Sequence, residues 1–482
     1  MKKTDQKILL GYAPTITLGA FSKEKGIENK IQIRDLIKSW NMVEMVDIED
    51  VAEDGFLPNL KTLDKVVKKF RDSNVDAIFV PHCNFGTEYA VTELARAIGK
   101  PLLIWGPQDT APGSDGRRLT DTLCGLLATS RVLVSANVPF SYIVNSKIGS
   151  KVFEKGFKTF IGASAVVKTF RNLKVGQVGV RPPNFWTMKV NERELMEKFG
   201  IKTETLDMLE VGNQVQKTAD SNSSELKKII KKYKERAHFA DIVSDEQIKM
   251  MAALHIVLSD WMLENELDAA CFRCWSSFQD VFKIMPCFMA GNLIDEGLPL
   301  ICEVDLHGAI SAALTRAATL WKKPIFFPDV TARHPENPHG VLMWHCGPFP
   351  PSLCRKTDEV KVGRHPVLEP LYFSGCGHFE LQEGPVSIVR FEGTNGIYKL
   401  FAGQARTCEG PMTQGTYVWV EMNDWSKWEE KLIRGPYLHH VAAIYEHISP
   451  VLYEATRFMP GVEPDMLDPE AGEIEKWLKS EN

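Results

Sequence analysis

Two carboxylates lie at the ends of apolar runs that are typical of buried strands. Glu303 closes the predicted strand 298–304, and Asp329 closes the predicted strand 323–329. Ligands bind beyond the carboxyl ends of parallel strands, and neighbouring strands lie roughly 5 Å apart, so we expect both carboxylates to face one cleft. Two carboxylates that meet there repel each other unless a cation or a shared proton lies between them. A divalent metal ion meets this requirement.

Most of the histidines follow the first of these carboxylates. Nine of the 12 histidines lie from His307 onward. Carboxylates combined with one or two imidazoles suit Mn²⁺, Fe²⁺ or Co²⁺, and less often Zn²⁺. His345 closes a predicted strand. His439 and His440 open the predicted helix 439–448, where adjacent side chains point in different directions, so we expect only one of the pair to face a metal.

Each of these residues also has a purely local interpretation. A lone carboxylate at the end of a strand often caps the next helix. His345 is equally compatible with a hydrogen-bonded core position. Beside Glu303, we interpret Asp305 and His307 as supporting or merely local residues, and Gly308 as the residue that allows a turn. Residue types alone therefore indicate an α/β protein with a candidate carboxylate–histidine metal site.

The order of strand-like and helical patterns predicts three domains. In residues 1–170, short apolar runs alternate with helical patterns, which predicts an open parallel sheet. Residues 171–340 repeat this alternation and carry both carboxylates. Residues 341–482 are strand-rich and punctuated by Gly and Pro, which predicts a mostly antiparallel, barrel-like sheet with terminal helices. The predicted fold class is α/β, with two parallel-sheet domains followed by a β-rich domain.

Composition argues against several classes of function. The 482 residues include 57 Lys and Arg against 62 Asp and Glu, so no strongly basic domain points to nucleic acid. The first apolar run is too short to span a membrane and no signal-peptide cleavage pattern follows it, which favours a cytoplasmic protein. Cys271 and Cys274 form a close pair, but no second pair completes a zinc site, so we interpret them as packed thiols.

Four runs together resemble the family of L-fucose isomerase and L-arabinose isomerase, which are aldose–ketose isomerases. In chain order they are CEVDLHGAISAAL, PIFFPD, WHCG and HHVAA. The resemblance implies that Glu303, Asp329 and His440 hold Mn²⁺ or another divalent transition metal. His345 matches a further ligand of the arabinose branch only, and is the less secure one. The Asp at 329 resembles the fucose branch, so the sugar stays open between a fucose- or arabinose-type sugar and an anionic hexose such as sulfoquinovose.

The resemblance also implies a mechanism. A proton moves between C1 and C2 of an open-chain sugar through a cis-enediol, while the metal binds the oxygens on those two carbons. Glu303 and Asp329 flank the enediol as acid and base, in an order that the sequence does not assign. Trp275 is a candidate for sugar contact, although a Trp at the end of a strand is often part of the core.

Assembly into a homotrimer or homohexamer is implied in the same way, with the first domain of a neighbour helping to close the pocket. The candidate loops are 81–88 and 105–118, which both follow predicted strands. Within the second loop, Arg117 and Arg118 either meet an anionic group on the sugar or begin a solvated helix.

Two other functions are compatible with the same scaffold. One is a non-catalytic sugar-binding protein, since the fold does not determine the function. The other is a metal-dependent epimerase or lyase that uses the same enediol chemistry. Sugar binding that persists without a metal favours the former, and analysis of the product separates the latter from an isomerase.

Overall fold

The computed structural model describes residues 6–367, 374–435 and 437–481. The helices are α1 (Lys23–Ser39), α2 (Leu60–Asp72), α3 (Glu88–Ile98), α4 (Thr122–Ser135), α5 (Lys151–Arg171), α6 (Glu192–Phe199), α7 (Met208–Asp220), α8 (Ser224–Arg236), α9 (Asp245–Glu264), α10 (Ser277–Phe282), α11 (Cys287–Asp295), α12 (Leu306–Ala318), α13 (Trp425–Arg434), α14 (Ser449–Thr456) and α15 (Ala471–Leu478). The strands are β1 (Ile8–Tyr12), β2 (Val43–Val46), β3 (Ala77–Pro81), β4 (Leu102–Trp105), β5 (Ser141–Tyr142), β6 (Lys174–Val178), β7 (Lys202–Leu206), β8 (His238–Phe239), β9 (Ala269–Phe272), β10 (Leu300–Ile301), β11 (Asp329–Arg333), β12 (Gly340–His345), β13 (Lys361–Arg364), β14 (Ser374–Glu380), β15 (Pro385–Thr394), β16 (Ile397–Thr407), β17 (Thr416–Glu421), β18 (Ala442–Ile444) and β19 (Val462–Leu467).

The first compact unit contains a parallel sheet. Its described residues are 6–168, Pro450–Pro460 and 471–481. The strand order is β2-β1-β3-β4-β5, and every pair is parallel, as the alternation of apolar runs and helices predicts. The candidate loops 81–88 and 105–118 leave the carboxyl ends of β3 and β4.

The two arginines of the second loop lie just before α4. Both are exposed. Arg118 donates to Asp121 at 2.8 Å, and Asp121 is the residue that precedes α4. The two arginines therefore precede the helix rather than begin it, and their contact with an anionic group of the sugar stays a prediction.

The second compact unit, here called the central unit, comprises Thr169–Ser449 and Gly461–Glu470. It holds a parallel four-stranded sheet in the order β10-β9-β6-β7, together with a ten-stranded, mostly antiparallel sheet. Two parallel sheets and one mostly antiparallel sheet confirm the predicted fold class. The predicted division into 1–170, 171–340 and 341–482 stays a prediction.

Helix α12 connects the two sheets of the central unit. It packs against β9 of the parallel sheet and against β15 and β18 of the antiparallel sheet. All of its residues are buried, and many are Ala, Gly or Ser. These small side chains let both sheets approach the helix closely. The start of α12 is therefore fixed against both sheets at once.

The prediction that 323–329 is the next parallel strand is wrong. The parallel sheet ends at β10. The segment instead forms antiparallel bridges from Phe326 to Ala443 and from Asp329 to His440, and Asp329 begins β11 rather than ending a strand. A short apolar run looks the same for a buried parallel strand and for an antiparallel one, so periodicity could not separate them.

Two other predicted elements differ from the structure. The predicted helix 439–448 instead contains β18, which pairs with β15. The predicted helix 280–297 is two helices, α10 and α11, with Pro286 immediately before α11. Proline lacks the N–H that a continuous helix would need there. In the predicted strand stretch 370–381, residues 370–373 lie outside the described part of the chain.

None of the helices in the described part of the chain combines the length and the apolar character that crossing a membrane requires.

Gly291 on α11 should tolerate no side chain. A Cβ there would lie 2.3 Å from the backbone carbonyl oxygen of Phe349. Phe349 follows β12, the strand that carries His345. We expect Gly291→Ala to lower the free energy of unfolding by about 1–3 kcal/mol through overpacking. Denaturant unfolding followed by circular dichroism measures the change.

Gly212→Ala on α7 is the matched control. Its Cβ would meet only Phe282, at 3.9 Å, so the helix should gain about 0.5–1 kcal/mol. Equal effects of the two substitutions would show that the contact between α11 and the Phe349 loop is not tight.

Candidate functional site

Glu303 stands in a left-handed turn directly after β10. The φ angles of Glu303 and Val304 are +67° and +59°, in a region that costs a non-glycine residue about 1–2 kcal/mol. A β-branched residue such as Val304 is especially disfavoured there. Residues in such conformations persist where the surrounding structure holds them, and they cluster at functional sites. The turn replaces the end of the predicted strand and brings the Glu303 carboxylate to His440.

Two carboxylates approach the same nitrogen of His440. Its Nε2 lies 3.4 Å from Oε2 of Glu303 and 3.2 Å from Oδ1 of Asp329. Neither contact is a hydrogen bond, because His440 Nε2 and Asp329 Oδ1 are both buried without a hydrogen-bond partner. Buried polar atoms without partners are rare. The unpartnered atoms of the two residues are therefore directed towards a common point.

The possible metal-ligand atoms form two overlapping groups. Atoms of Glu303, His345 and His440 lie within 4.8 Å of one another, and so do atoms of Asp329, His439 and His440. The structure thus brings the other three predicted ligands, Glu303, Asp329 and His345, close to His440. Glu303 and Asp329 fall in different groups, although both contact the same nitrogen.

His439 is a second ligand candidate from the His439–His440 pair, of which the sequence analysis selected only His440. Its ring centroid is 4.5 Å from that of His440. The helical interpretation of 439–448 placed the two side chains in different directions. The segment is extended instead, and the backbone of His439 pairs with Val330 of β11, next to Asp329.

Asp305 determines which nitrogen of His440 carries the proton. Its Oδ2 lies 3.0 Å from His440 Nδ1, so in the neutral ring Nδ1 donates and the lone pair of Nε2 faces Glu303 and Asp329. Metal-binding histidines typically have this kind of carboxylate partner. The other oxygen of Asp305 accepts from the N–H of Gly308 at 2.8 Å and caps α12. Asp305 is therefore both a local cap and a supporting residue.

Gly308 serves packing rather than a turn. It lies in the first turn of α12, and its φ is not in the left-handed region. A Cβ at this position would lie 2.5 Å from the ring of Phe327 and 2.6 Å from Oδ2 of Asp305. Glycine is needed there so that the Asp305 carboxylate can reach both the helix and His440.

Arg390 holds Asp305 in place from β15. Its guanidinium nitrogens lie 2.5 and 3.1 Å from the two oxygens of Asp305, and 2.7 Å from Oε2 of Glu392. Burial alone would raise the pKa of Asp305, but Arg390 and His440 hold it well below its usual range. Glu392 in turn contacts Nδ1 of His307 at 2.5 Å. His307 thus supports this charged network rather than the metal-ligand group.

The Arg390 network was not predicted, although the sequence carries a signal for it. Arg390 and Glu392 are two residues apart on an apolar strand, so their side chains lie on the same face. Opposite charges at this spacing within a buried strand indicate a buried ion pair.

The surroundings of His440 favour positive charge. Burial disfavours its imidazolium, but the nearby carboxylates of Asp305, Glu303 and Asp329 outweigh that cost and raise the pKa of His440 to about 10. For Glu303, burial raises the pKa, but His440, His345 and Trp275 lower it by more, so the net shift is downward. This arrangement of ionised carboxylates around one imidazole is suited to hold a cation, either the second proton of His440 or a metal ion at Nε2.

His345 differs from His440 in its tautomer. Its Nδ1 accepts the backbone N–H of Cys346 at 2.9 Å, so the proton of the neutral ring belongs on Nε2. That Nε2 is buried and has no hydrogen-bond partner in the described residues. A protonated nitrogen suits hydrogen-bond donation better than metal ligation. His345 closes β12 as predicted, but its role as a ligand stays a prediction.

Trp275 borders the candidate site. It follows β9 by three residues and is partly buried. Its ring packs edge-to-face against Phe185 at 5.9 Å. Trp275 lowers the pKa of Glu303, while contact of its ring with a sugar stays a prediction. Cys271 and Cys274 are both buried and free of disulfides, in agreement with packed thiols.

Comparison with known proteins finds similarity to sugar isomerases. A family model described as the N-terminal domain of fucose/sulfoquinovose isomerase matches residues 16–171. A sulfoquinovose isomerase from Priestia aryabhattai is 25% identical over 413 residues, which cover 85% of this chain and 90% of the relative. A second one, from Alkalicoccus urumqiensis, is 24% identical over 337 residues, which cover 68% and 72% of the two chains.

Similarity to solved structures is weak. A periplasmic solute-binding protein of an ABC transporter from Actinobacillus succinogenes, solved with D-allose, covers 65% of this chain and 92% of its own at 13% identity. Its TM-score is 0.16, which is too low to support any conclusion.

Asp305→Asn should weaken divalent metal binding. An asparagine side chain can donate to Nδ1 of His440, which moves the ring proton to Nε2 and blocks the lone pair. Loss of such a supporting carboxylate typically costs about 10- to 100-fold in metal affinity. Calorimetric titration with Mn²⁺ measures the dissociation constant.

Glu392→Gln is the matched control for Asp305→Asn. It also removes a carboxylate partner of Arg390, but it leaves the contact between Asp305 and His440 intact. We expect nearly native Mn²⁺ affinity. Equal losses in the two variants, with intact folding by circular dichroism, would mean that the tautomer of His440 does not control metal binding.

Proposed function

We propose that this chain is a metal-dependent aldose–ketose isomerase of a free sugar, of the fucose isomerase-like kind. The observation that carries the proposal is the approach of Glu303 and Asp329 to the unpartnered Nε2 of His440. The 25% identical sulfoquinovose isomerase, aligned over 90% of its length, supports the same class of reaction.

The residues present fit a divalent transition metal such as Mn²⁺. Two carboxylates and one imidazole are the donor set that Mn²⁺ and Fe²⁺ favour. Glu303, Asp329 and His440 would hold the ion, and the contact with Asp305 already presents the correct nitrogen of His440. When bound, such an ion supplies Lewis-acid polarisation of the C1 and C2 oxygens of the sugar.

The chain's own residues would move the protons. Conversion of an aldose to a ketose transfers a proton from C2 to C1 and another between the two oxygens, through a cis-enediol. The lowered pKa of Glu303 keeps it ionised and able to accept a proton. Glu303 and Asp329 would divide the carbon and hydroxyl proton transfers between them. His345, with its proton on Nε2, would donate a hydrogen bond to a sugar oxygen.

The substrate is proposed from the relatives. Both relatives described above are sulfoquinovose isomerases, which favours an anionic hexose over a fucose- or arabinose-type sugar. Assembly as a homotrimer or homohexamer and a cytoplasmic location belong to the proposal too, and the family resemblance alone supports them.

Glu303→Gln tests the function. The neutral amide cannot accept a proton, so we expect ketose formation to fall by roughly 100- to 10,000-fold. The assay is proton NMR in deuterated water with added Mn²⁺ and a panel of fucose, arabinose and sulfoquinovose. The native protein should also incorporate solvent deuterium at C1 of the ketose.

Glu296→Gln is the matched control for the carboxylate. Glu296 also lies beside a buried imidazole, with Oε2 3.3 Å from Nε2 of His255, but it belongs to neither metal-ligand group. We expect nearly native activity. Three results would contradict the proposal: full activity after chelation of metals, sugar binding without turnover, or an epimeric aldose as the product.

A further inference from the structure

A cavity of about 560 Å³ lies beyond the carboxyl end of β6 in the central unit. Two of its lining residues, Arg181 and Lys189, are cations, and one, Glu192, is an anion. We propose that Arg181 and Lys189 form a subsite for a tetrahedral anionic group on the substrate, a sulfonate or a phosphate ester at C6 of the hexose. This inference rests on the proposed isomerase function and assigns its substrate class.

Arg181 is held in position without its charge being neutralised. Its Nη1 donates to the carbonyl oxygens of Pro182 and Pro183, both at 3.2 Å, and of Phe185 at 3.5 Å. Among the described residues, no carboxylate lies within ion-pair distance of its guanidinium. The planar guanidinium fork matches the oxygens of a sulfonate or phosphate. Three carbonyl contacts on one nitrogen therefore orient the group and leave the rest of the fork for a ligand.

Lys189 adds a second charge to the same cavity. Its ammonium lies 4.1 Å from the ring centroid of Trp186, a contact that holds the side chain over an aromatic face. No ion pair joins it to a carboxylate in the described part of the chain. With Glu192 as the only acidic lining residue, the two cations leave the cavity with a net positive charge, which attracts an anion.

The cavity adjoins the residues proposed for catalysis. Val304 lines it, and Val304 follows Glu303 in the left-handed turn. The loop that orients Arg181 also reaches the edge of the sheet next to Glu303, because Phe185 packs edge-to-face on Trp275, which follows β9, the strand that pairs with β10. One sugar molecule could therefore present its reacting carbons to Glu303 and its anionic end to Arg181.

Arg181→Gln and Lys189→Gln test the subsite on three sugars. The sugars are sulfoquinovose, glucose 6-phosphate and 6-deoxyglucose, which is the neutral counterpart. For the anionic sugar that the native protein uses, Arg181→Gln should raise KM by roughly 10- to 100-fold, because a charge-assisted hydrogen bond is lost. We expect a smaller rise for Lys189→Gln, little change in kcat, and unchanged kinetics with 6-deoxyglucose. The comparison of sulfoquinovose with glucose 6-phosphate tells sulfonate from phosphate recognition.

Lys202→Gln is the control for loss of a positive charge. Lys202 is exposed and begins β7 at the amino end of the same sheet, opposite the cavity. We expect native KM values. Equal rises in KM for the anionic and neutral sugars in Arg181→Gln, or no rise at all, would overturn the subsite.

Calorimetric binding separates failure of the subsite from failure of the proposed reaction. If the native protein converts none of the three sugars, the isomerase proposal fails, and binding still tests the subsite. Tighter binding of either anionic sugar than of 6-deoxyglucose, lost in Arg181→Gln, would support the subsite. Equal affinity of the native protein for all three sugars would overturn it.

Discussion

The contact between Asp305 and His440 is the interaction on which the candidate site depends. One carboxylate caps α12, accepts both sides of the Arg390 fork and receives the Nδ1 proton of His440. A buried carboxylate is costly unless it is paired and hydrogen-bonded, and here every contact also orients a neighbour. Replacing Asp305 by a residue without charge would remove one of the carboxylates that neutralise the charge of Arg390. It would also remove the carboxylate that fixes the tautomer of His440.

The site joins two kinds of sheet through one helix. Glu303 comes from the turn after the parallel sheet, whereas Asp329, His345 and His440 belong to the antiparallel sheet or its bridges. Because α12 packs on both sheets, the residues are held by separate parts of the backbone that come together around His440. The left-handed turn at Glu303 is the strained element of this arrangement, and it sets the direction of the carboxylate.

The sequence predicted the fold class correctly, but it did not predict which strands bring the site residues together. Glu303, Asp329 and His440 do converge, but Asp329 arrives on an antiparallel bridge, not on a neighbouring parallel strand. An apolar run before a carboxylate does not reveal its partner strand. His439 was set aside because 439–448 was interpreted as a helix, and the contact between Arg390 and Asp305 was missed because 85 residues separate them in the chain. Long-range pairing of this kind is not contained in local periodicity.

In the proposed site, one metal ion binds Nε2 of His440 together with the carboxylates of Glu303 and Asp329. Anomalous diffraction from crystals grown with Mn²⁺ tests this arrangement directly. We expect one strong manganese peak at about 2.2 Å from Glu303, Asp329 and Nε2 of His440, with a small rotation of the carboxylate side chains. His345 should stay outside the coordination sphere. A peak held by His439 and Asp329 away from Glu303, or no peak near His440, would contradict the account.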